Sequence, residues 1–170
     1  MQKPKLAWMA AAILVLTVAV CAQADTPAPA AAAPMSHIVV MPNLIVWGPP
    51  PPGLPPGSKA AILVGNPGVE GPYTLRALMP NGYKVPLHWH PTAENLTVIS
   101  GILHIGMGET ADPAKTVALG AGGFAVMDAN MKHWVWAEGE TVLQVHGNGP
   151  FSITYVNPAD DPRQPAPPSK

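Results

Sequence analysis

Thiol chemistry is all but missing from this sequence of 170 residues: its single cysteine, Cys21, sits inside an apolar N-terminal stretch. A lone cysteine cannot close a disulfide within the chain, and if the stretch around it is removed no thiolate is left to act as nucleophile or metal ligand. That absence also excludes an iron thiol dioxygenase that relies on a cysteine beside its site. Charge is scarce as well, at 11% of residues with a formal net charge of −1 and no basic cluster. Nothing therefore tracks a phosphate backbone, and nucleic acid is excluded as a partner. No internal repeat is visible, and no segment carries a convincing helical period.

The first segment has the three-part pattern of a secretory signal: Lys3 and Lys5, an apolar run from Leu6 to Val20, and the small-residue end Ala22-Gln23-Ala24. Cleavage before Asp25 is expected, which places residues 1–24 as a signal peptide and the mature chain in the periplasm or outside the cell, with no membrane contact after cleavage. A membrane anchor is the alternative, since the apolar run is near the short limit for spanning a bilayer. A lipid attached at Cys21 is disfavoured by the bulk of Val20 before it. Removing residues 1–24 takes away Lys3 and Lys5, so the net charge goes from −1 to −3, and it leaves 170 − 24 = 146 residues, the size of one domain.

Proline is abundant, 23 in all, and clustered. Residues 25–36, with the Ala/Pro tract from Thr26 to Pro34, read as a disordered tether. The run Pro49 to Pro56 reads as a stiff connection across the outside of the domain. Residues 158–170 read as a loose tail. Between them, residues 37–157 divide into short β-prone runs punctuated by glycine, asparagine and proline. These are His37 to Trp47, Ala60 to Val64, Tyr73 to Met79, Lys84 to His90, Glu94 to Ile99, Ile102 to Met107, Thr116 to Leu119, Phe124 to Met127, His133 to Ala137, Thr141 to His146 and Phe151 to Val156. Such a series predicts an all-β barrel or jelly roll. Only Ala111 to Ala118 offers a helical turn.

The chemistry concentrates in Gly82 to Gly101. In a strand, His88 and His90 point to the same face, roughly 7 Å apart at the backbone. Pro91 breaks the ladder, and the chain turns to bring Glu94 back toward them at the start of a β-branched run. A third imidazole, His133, follows the glycine-rich approach Gly120, Gly122 and Gly123. Three neutral nitrogens and one anionic oxygen suit a divalent first-row metal.

This spacing resembles the first motif of the cupin family, Gly-x5-His-x-His-x3-Glu-x6-Gly, which Gly82, His88, His90, Glu94 and Gly101 meet in full. The second motif, Gly-x5-Pro-x-Gly-x2-His-x3-Asn, is met at Gly122 and His133, with Asp128, Asn130 and Ala137 in place of Pro, Gly and Asn. Asn130 tolerates the left-handed conformation that the turn glycine would supply. The resemblance implies one cupin barrel, a double-stranded β-helix or jelly roll, with His88, His90, Glu94 and His133 as ligands of Fe, Mn, Ni or Zn. It further implies a small organic ligand or substrate and activity of the dioxygenase, decarboxylase or isomerase kind. A periplasmic binding or sensing module without catalysis is the alternative, and catalytic residues beyond the ligands are not assigned.

Four further residues are candidates for contacts around the metal or the substrate. His104, Gln144 and His146 lie in alternating runs whose period does not say which face is inside. Arg76 would clamp a carboxylate if it faced inward. Trp89, Trp134 and Trp136 have parity opposite to the histidines and are expected to point outward, suggesting a homodimer face.

Overall fold

A computed structural model describes residues 37–164. The segments expected to be a signal peptide and a tether, residues 1–24 and 25–36, and residues 165–170 of the tail lie outside the described residues. The described residues form eight strands: β1 (Lys59–Val64), β2 (Gly71–Met79), β3 (Lys84–Trp89), β4 (Glu94–Met107), β5 (Thr116–Leu119), β6 (Phe124–Met127), β7 (His133–Gly149) and β8 (Thr154–Tyr155), with short 3-10 turns at Pro42–Leu44, Pro113–Lys115 and Pro158–Asp160. Every pairing is antiparallel. No helix among the described residues is long and apolar enough to cross a membrane.

The backbone of the fold is the long pair β4 and β7, which run together from Glu94 opposite Gly147 to Met107 opposite His133. Each unites two runs that the sequence predicts as separate strands. The first half of β4 pairs with β6 and its second half with β5, while β7 pairs with β3 near His133 and with β2 beyond Thr141. The bend that divides the halves is built at Gly101, which has φ +79°. A Cβ there would lie 2.5 Å from the Glu140 carbonyl oxygen and 2.5 Å from Thr141 Oγ1. Thr141, wholly buried, donates from Oγ1 to Ile102 O at 3.1 Å across the same bend. Ladder register slips on both sides of Ser100, as expected where a strand bulges to change direction. The sheet does not close on itself, and the result is a jelly roll.

Alternation fills the interior. Tyr73, Leu75, Ala77 and Met79 of β2 are buried, as are Leu96, Val98, Leu103 and Ile105 of β4 and Val135, Ala137, Leu143 and Val145 of β7, all in one cluster with Met127, Ile153 and Tyr155. Burying each of the larger side chains contributes roughly 1.5–3 kcal/mol.

Three expectations are corrected. His37 to Trp47 is not a strand: it joins no ladder and carries a 3-10 turn at Pro42–Leu44, and only Gly48 after it makes a single bridge, to Ala60. Pro42 cannot donate to a ladder, and Val39 and Val46 stay 76% and 85% exposed. The proline run does not keep to the outside, because Pro50, Pro51 and Leu54 line the central cavity. Proline gives such a cover apolar surface without an N–H to satisfy. Phe151 to Val156 forms a strand only at Thr154–Tyr155. The tail is held as far as Arg163, whose Nη2 donates to Ile153 O at 3.0 Å.

Trp134 is buried and would meet any Cβ on Gly106, while Trp136 is half-buried and stacks on His104 at 3.8 Å. Both lie on the outer face of β7, where they line a surface hollow with Lys84 and Pro86.

Candidate metal centre

The histidines reach the interior through irregularities of the strands that carry them. In β3, Val85 faces Val135 and His88 faces His133, so three steps on one strand match two on the other. The extra residue is a bulge at Pro86 and Leu87, where Pro86 has no N–H to give the ladder. It puts Val85 and His88 on the same inner face, and it turns the Pro86 carbonyl toward the His88 ring, whose Nδ1 donates to it at 2.6 Å. β3 ends at Trp89, before Pro91. The hairpin after β6 then caps the site: Asn130, at φ 65° the only non-glycine residue with positive φ among the described residues, donates its backbone N–H to His90 O at 2.7 Å. Asparagine thus does what a glycine would do at that turn. The turn starts β7 at His133.

Each imidazole is oriented by a backbone carbonyl. Besides the His88 contact, His90 Nδ1 donates to Ser152 O at 2.6 Å and His133 Nδ1 to Met131 O at 3.0 Å. A carbonyl only accepts, so Nδ1 carries the proton in all three rings and Nε2 is left as the lone-pair nitrogen. His88, His90 and His133 are 3%, 4% and 1% exposed, and each offers a nitrogen within 4.8 Å of those of the others. Glu94 Oε2 stands 3.5 Å from His90 Nε2 and 3.5 Å from His133 Nε2.

Electrostatics fit the same picture. Burial is the main force on His88 and pushes its pKa down to about 3, with the neighbouring His133 and His90 adding to the effect. Burial acts to raise the Glu94 carboxyl, but the adjacent His133, His90 and His88 rings outweigh it, so its pKa is lowered. The site therefore favours a neutral His88 beside an ionised Glu94, the protonation states a metal requires of them.

The donor set passes a direct test of fit. His90 Nε2 is buried and has no hydrogen-bond partner. An orphaned lone pair in the interior costs free energy unless something accepts it, and a cation there satisfies it together with its neighbours. Three imidazoles and one carboxylate match iron, manganese, nickel or zinc and leave coordination positions open.

The cavity above this group is about 40 Å³, lined otherwise by apolar side chains that include Leu75, Leu96, Leu143, Val145 and Phe151. The other candidate residues are elsewhere. Arg76 and Gln144 are cross-strand partners, and His146 lies opposite Thr74 and Asn95 in the adjacent row. All three alternate with the cavity-lining Leu75, Ala77, Leu143 and Val145, so they face away from the metal group. His104 also faces out, stacked on Trp136 with Nε2 2.7 Å from Glu138 Oε2. Parity is the reason in each case: the apolar residue on either side is the one the core takes. Sequence reasoning passed over the carbonyls of Pro86, Met131 and Ser152, which no side chain advertises. It also passed over Phe151, for which adjacency to Pro150 gives no cue to a place beside His90.

Residues 74–147 match the family model described as a cupin domain, an interval holding all four members of the group. Over these residues the chain is similar to the cupin family. Solved structures agree on the cupin fold. The polyketide cyclase RemF from Streptomyces resistomycificus is similar with a TM-score of 0.60 at 14% identity, covering 75% of this chain and 90% of that one. A putative acetylacetone dioxygenase from Methylibium petroleiphilum gives 0.57 at 17% identity, covering 78% and 89%. An RmlC-like cupin from Shewanella frigidimarina gives 0.52 at 14%, covering 66% and 91%. At such identities the likeness carries the fold and not the activity. No curated protein sequence matches this chain.

Proposed function

We propose that this protein is an exported cupin in which His88, His90, Glu94 and His133 hold a divalent first-row metal and which acts on a small organic molecule by dioxygenase, decarboxylase or isomerase chemistry. The observation that carries the reading is the common orientation of the three rings. Each has its Nδ1 tied to a carbonyl, so three Nε2 atoms and one carboxylate oxygen are preset around one point. A metal held there supplies a Lewis acid for a substrate oxygen, or an activated water or dioxygen. The chain's own part is to fix the ligands, keep His88 neutral by burial and wall the site with apolar side chains that exclude bulk water. Export rests on the signal pattern of residues 1–24.

The second reading is a cupin that captures a small molecule without reacting it. It is favoured by the cavity lining, in which the only titratable side chains are the four assigned to the metal, so no separate acid or base is at hand. One series of experiments separates the two. The mature chain, purified without an affinity tag, is analysed for metal, and oxygen uptake and product are followed with phenols, diketones and small acids. Turnover lost in His88→Ala supports the enzyme, and saturable binding without product supports the binder. Metal content falling sharply in His90→Ala and Glu94→Ala but not in His104→Ala supports the ligand set. Equal metal content in all three variants overturns it.

A further inference from the structure

A second hollow adjoins the inner cavity. It measures about 620 Å³, opens outward, and shares Pro50, Pro51, Ala60 and Phe151 with the wall of the inner one. These four residues separate a small chamber at the histidines from a larger one beyond. A water molecule needs about 10–15 Å³ of such space, so the inner 40 Å³ takes a few heavy atoms only. The outer hollow falls within the roughly 300–1,000 Å³ typical of small-molecule sites.

Of the four, Phe151 has the side chain with freedom to swing. Its backbone is fixed by the bond from its N–H to Pro67 O at 2.6 Å, while its half-buried ring only leans on others, edge-on to Tyr73 at 6.5 Å between centroids and tilted over His90 at 5.1 Å. The segment that carries the opposing Pro50 and Pro51 is tied down just beyond them, where Tyr155 Oη donates to Gly53 O and Tyr83 Oη to Pro55 O, both at 2.7 Å. The ring makes no hydrogen bond of its own, so none has to break for it to turn about its side-chain bonds.

Charge narrows what passes. Among the described residues Arg163 is the only lysine or arginine lining either chamber, and its guanidinium bonds Asp161 through two contacts of 2.8 Å and Ile153 O. Arg76 faces the opposite side of the sheet. We propose that Phe151 is the specificity-determining residue of this cupin, a partition that admits molecules with a neutral, apolar body lying in the outer chamber and one oxygen-donor end at the histidines. This rests on the metal-site reading above.

The test uses the full chain loaded with cobalt(II), whose visible spectrum reports exogenous ligands without any turnover. The probes are azide, 4-butylphenol, and an acid of similar length, 4-(4-hydroxyphenyl)butanoate. In Phe151→Ala, 4-butylphenol is expected to bind at least about tenfold faster, with azide changed by less than about twofold and cobalt content unchanged. Phe151→Leu, which keeps the site apolar and guards against misfolding of the alanine variant, is expected to lie between. The acid is expected to bind more weakly than 4-butylphenol in every variant. Identical 4-butylphenol rates in loaded wild type and loaded variants overturn the partition, and stronger binding of the acid overturns the substrate class. Failure of the wild type to take up cobalt overturns the metal reading itself, and this inference with it.

Discussion

His90 donates from Nδ1 to the carbonyl oxygen of Ser152, 62 residues further along the chain, at 2.6 Å. The contact ties the end of β3 to the segment that also carries Phe151, and it uses only the backbone of Ser152. Ser152→Ala is therefore expected to leave metal content and affinity unchanged. His90→Ala, which deletes a donor, is expected to lower affinity by well over tenfold. Equilibrium competition with a chromogenic chelator measures both, and a large loss in Ser152→Ala would show that the side chain takes part.

Acid weakens the metal-free protein by a route that starts at His88. Its folded pKa, about 3, is below the ordinary imidazole value because burial disfavours the charged ring. The unfolded chain thus binds a proton that the folded chain refuses between about pH 6.5 and pH 3. Stability contributed by the neutral ring is present above that window and lost as pH falls through it, with roughly 5 kcal/mol as an upper bound. Urea unfolding of the apoprotein at stepped pH is the measurement. His88→Gln should flatten the slope between pH 6 and pH 4.

Alkali acts through the phenols. All three tyrosines of the chain are buried. Burial first, and the Glu94 carboxylate second, push Tyr73 up to about 12, and burial likewise raises Tyr83 and Tyr155. For a group whose folded pKa is raised, the stabilisation is complete below the unfolded value near 10 and disappears as pH rises through the folded value. Phenolate absorbance should therefore show no tyrosine titrating normally near pH 10. Its onset should coincide with unfolding and with release of the proline segment that Tyr83 and Tyr155 tether.

Two glycines of similar backbone conformation distinguish strain from collision. Gly101 and Gly139 have φ of +79° and +73°, yet a Cβ on Gly139 meets nothing within 4 Å, whereas one on Gly101 strikes the backbone of Glu140 and Thr141. Gly139→Ala should cost only the left-handed penalty of about 1–2 kcal/mol. Gly101→Ala adds overpacking at the bend of β4 and should cost on the order of 3 kcal/mol or more. Urea midpoints of the two variants provide the comparison, and equal losses would mean that the bend tolerates a side chain.

Local patterns made much of this molecule legible in advance. The β1, β2, β5 and β6 runs show in the alternation and punctuation of the sequence to within two residues. Asn130 could be read as a stand-in for a turn glycine because its side chain is among the few that accept positive φ. His37 to Trp47 misled because β propensity describes residues suited to a pleated surface, and an apolar run becomes a strand only if a neighbour supplies the hydrogen bonds. The faces of Arg76, His104, Gln144 and His146 were undecidable for a related reason: a period of two divides a strand into two faces without saying which one the core will cover.

The sequence by itself determined the chemical identity of the centre, because spacing over a few residues fixes which donors share a strand face and which turns bring them back. Tertiary structure alone decided how those donors are aimed and what surrounds them. The carbonyls of Pro86, Met131 and Ser152 that orient the rings belong to the backbone, and the prolines and Phe151 that cover the cavity come from segments distant in the chain. Such contacts depend on where β3, β7 and β8 meet, a consequence of ladder register and of the bend at Gly101 that no short stretch of residues encodes.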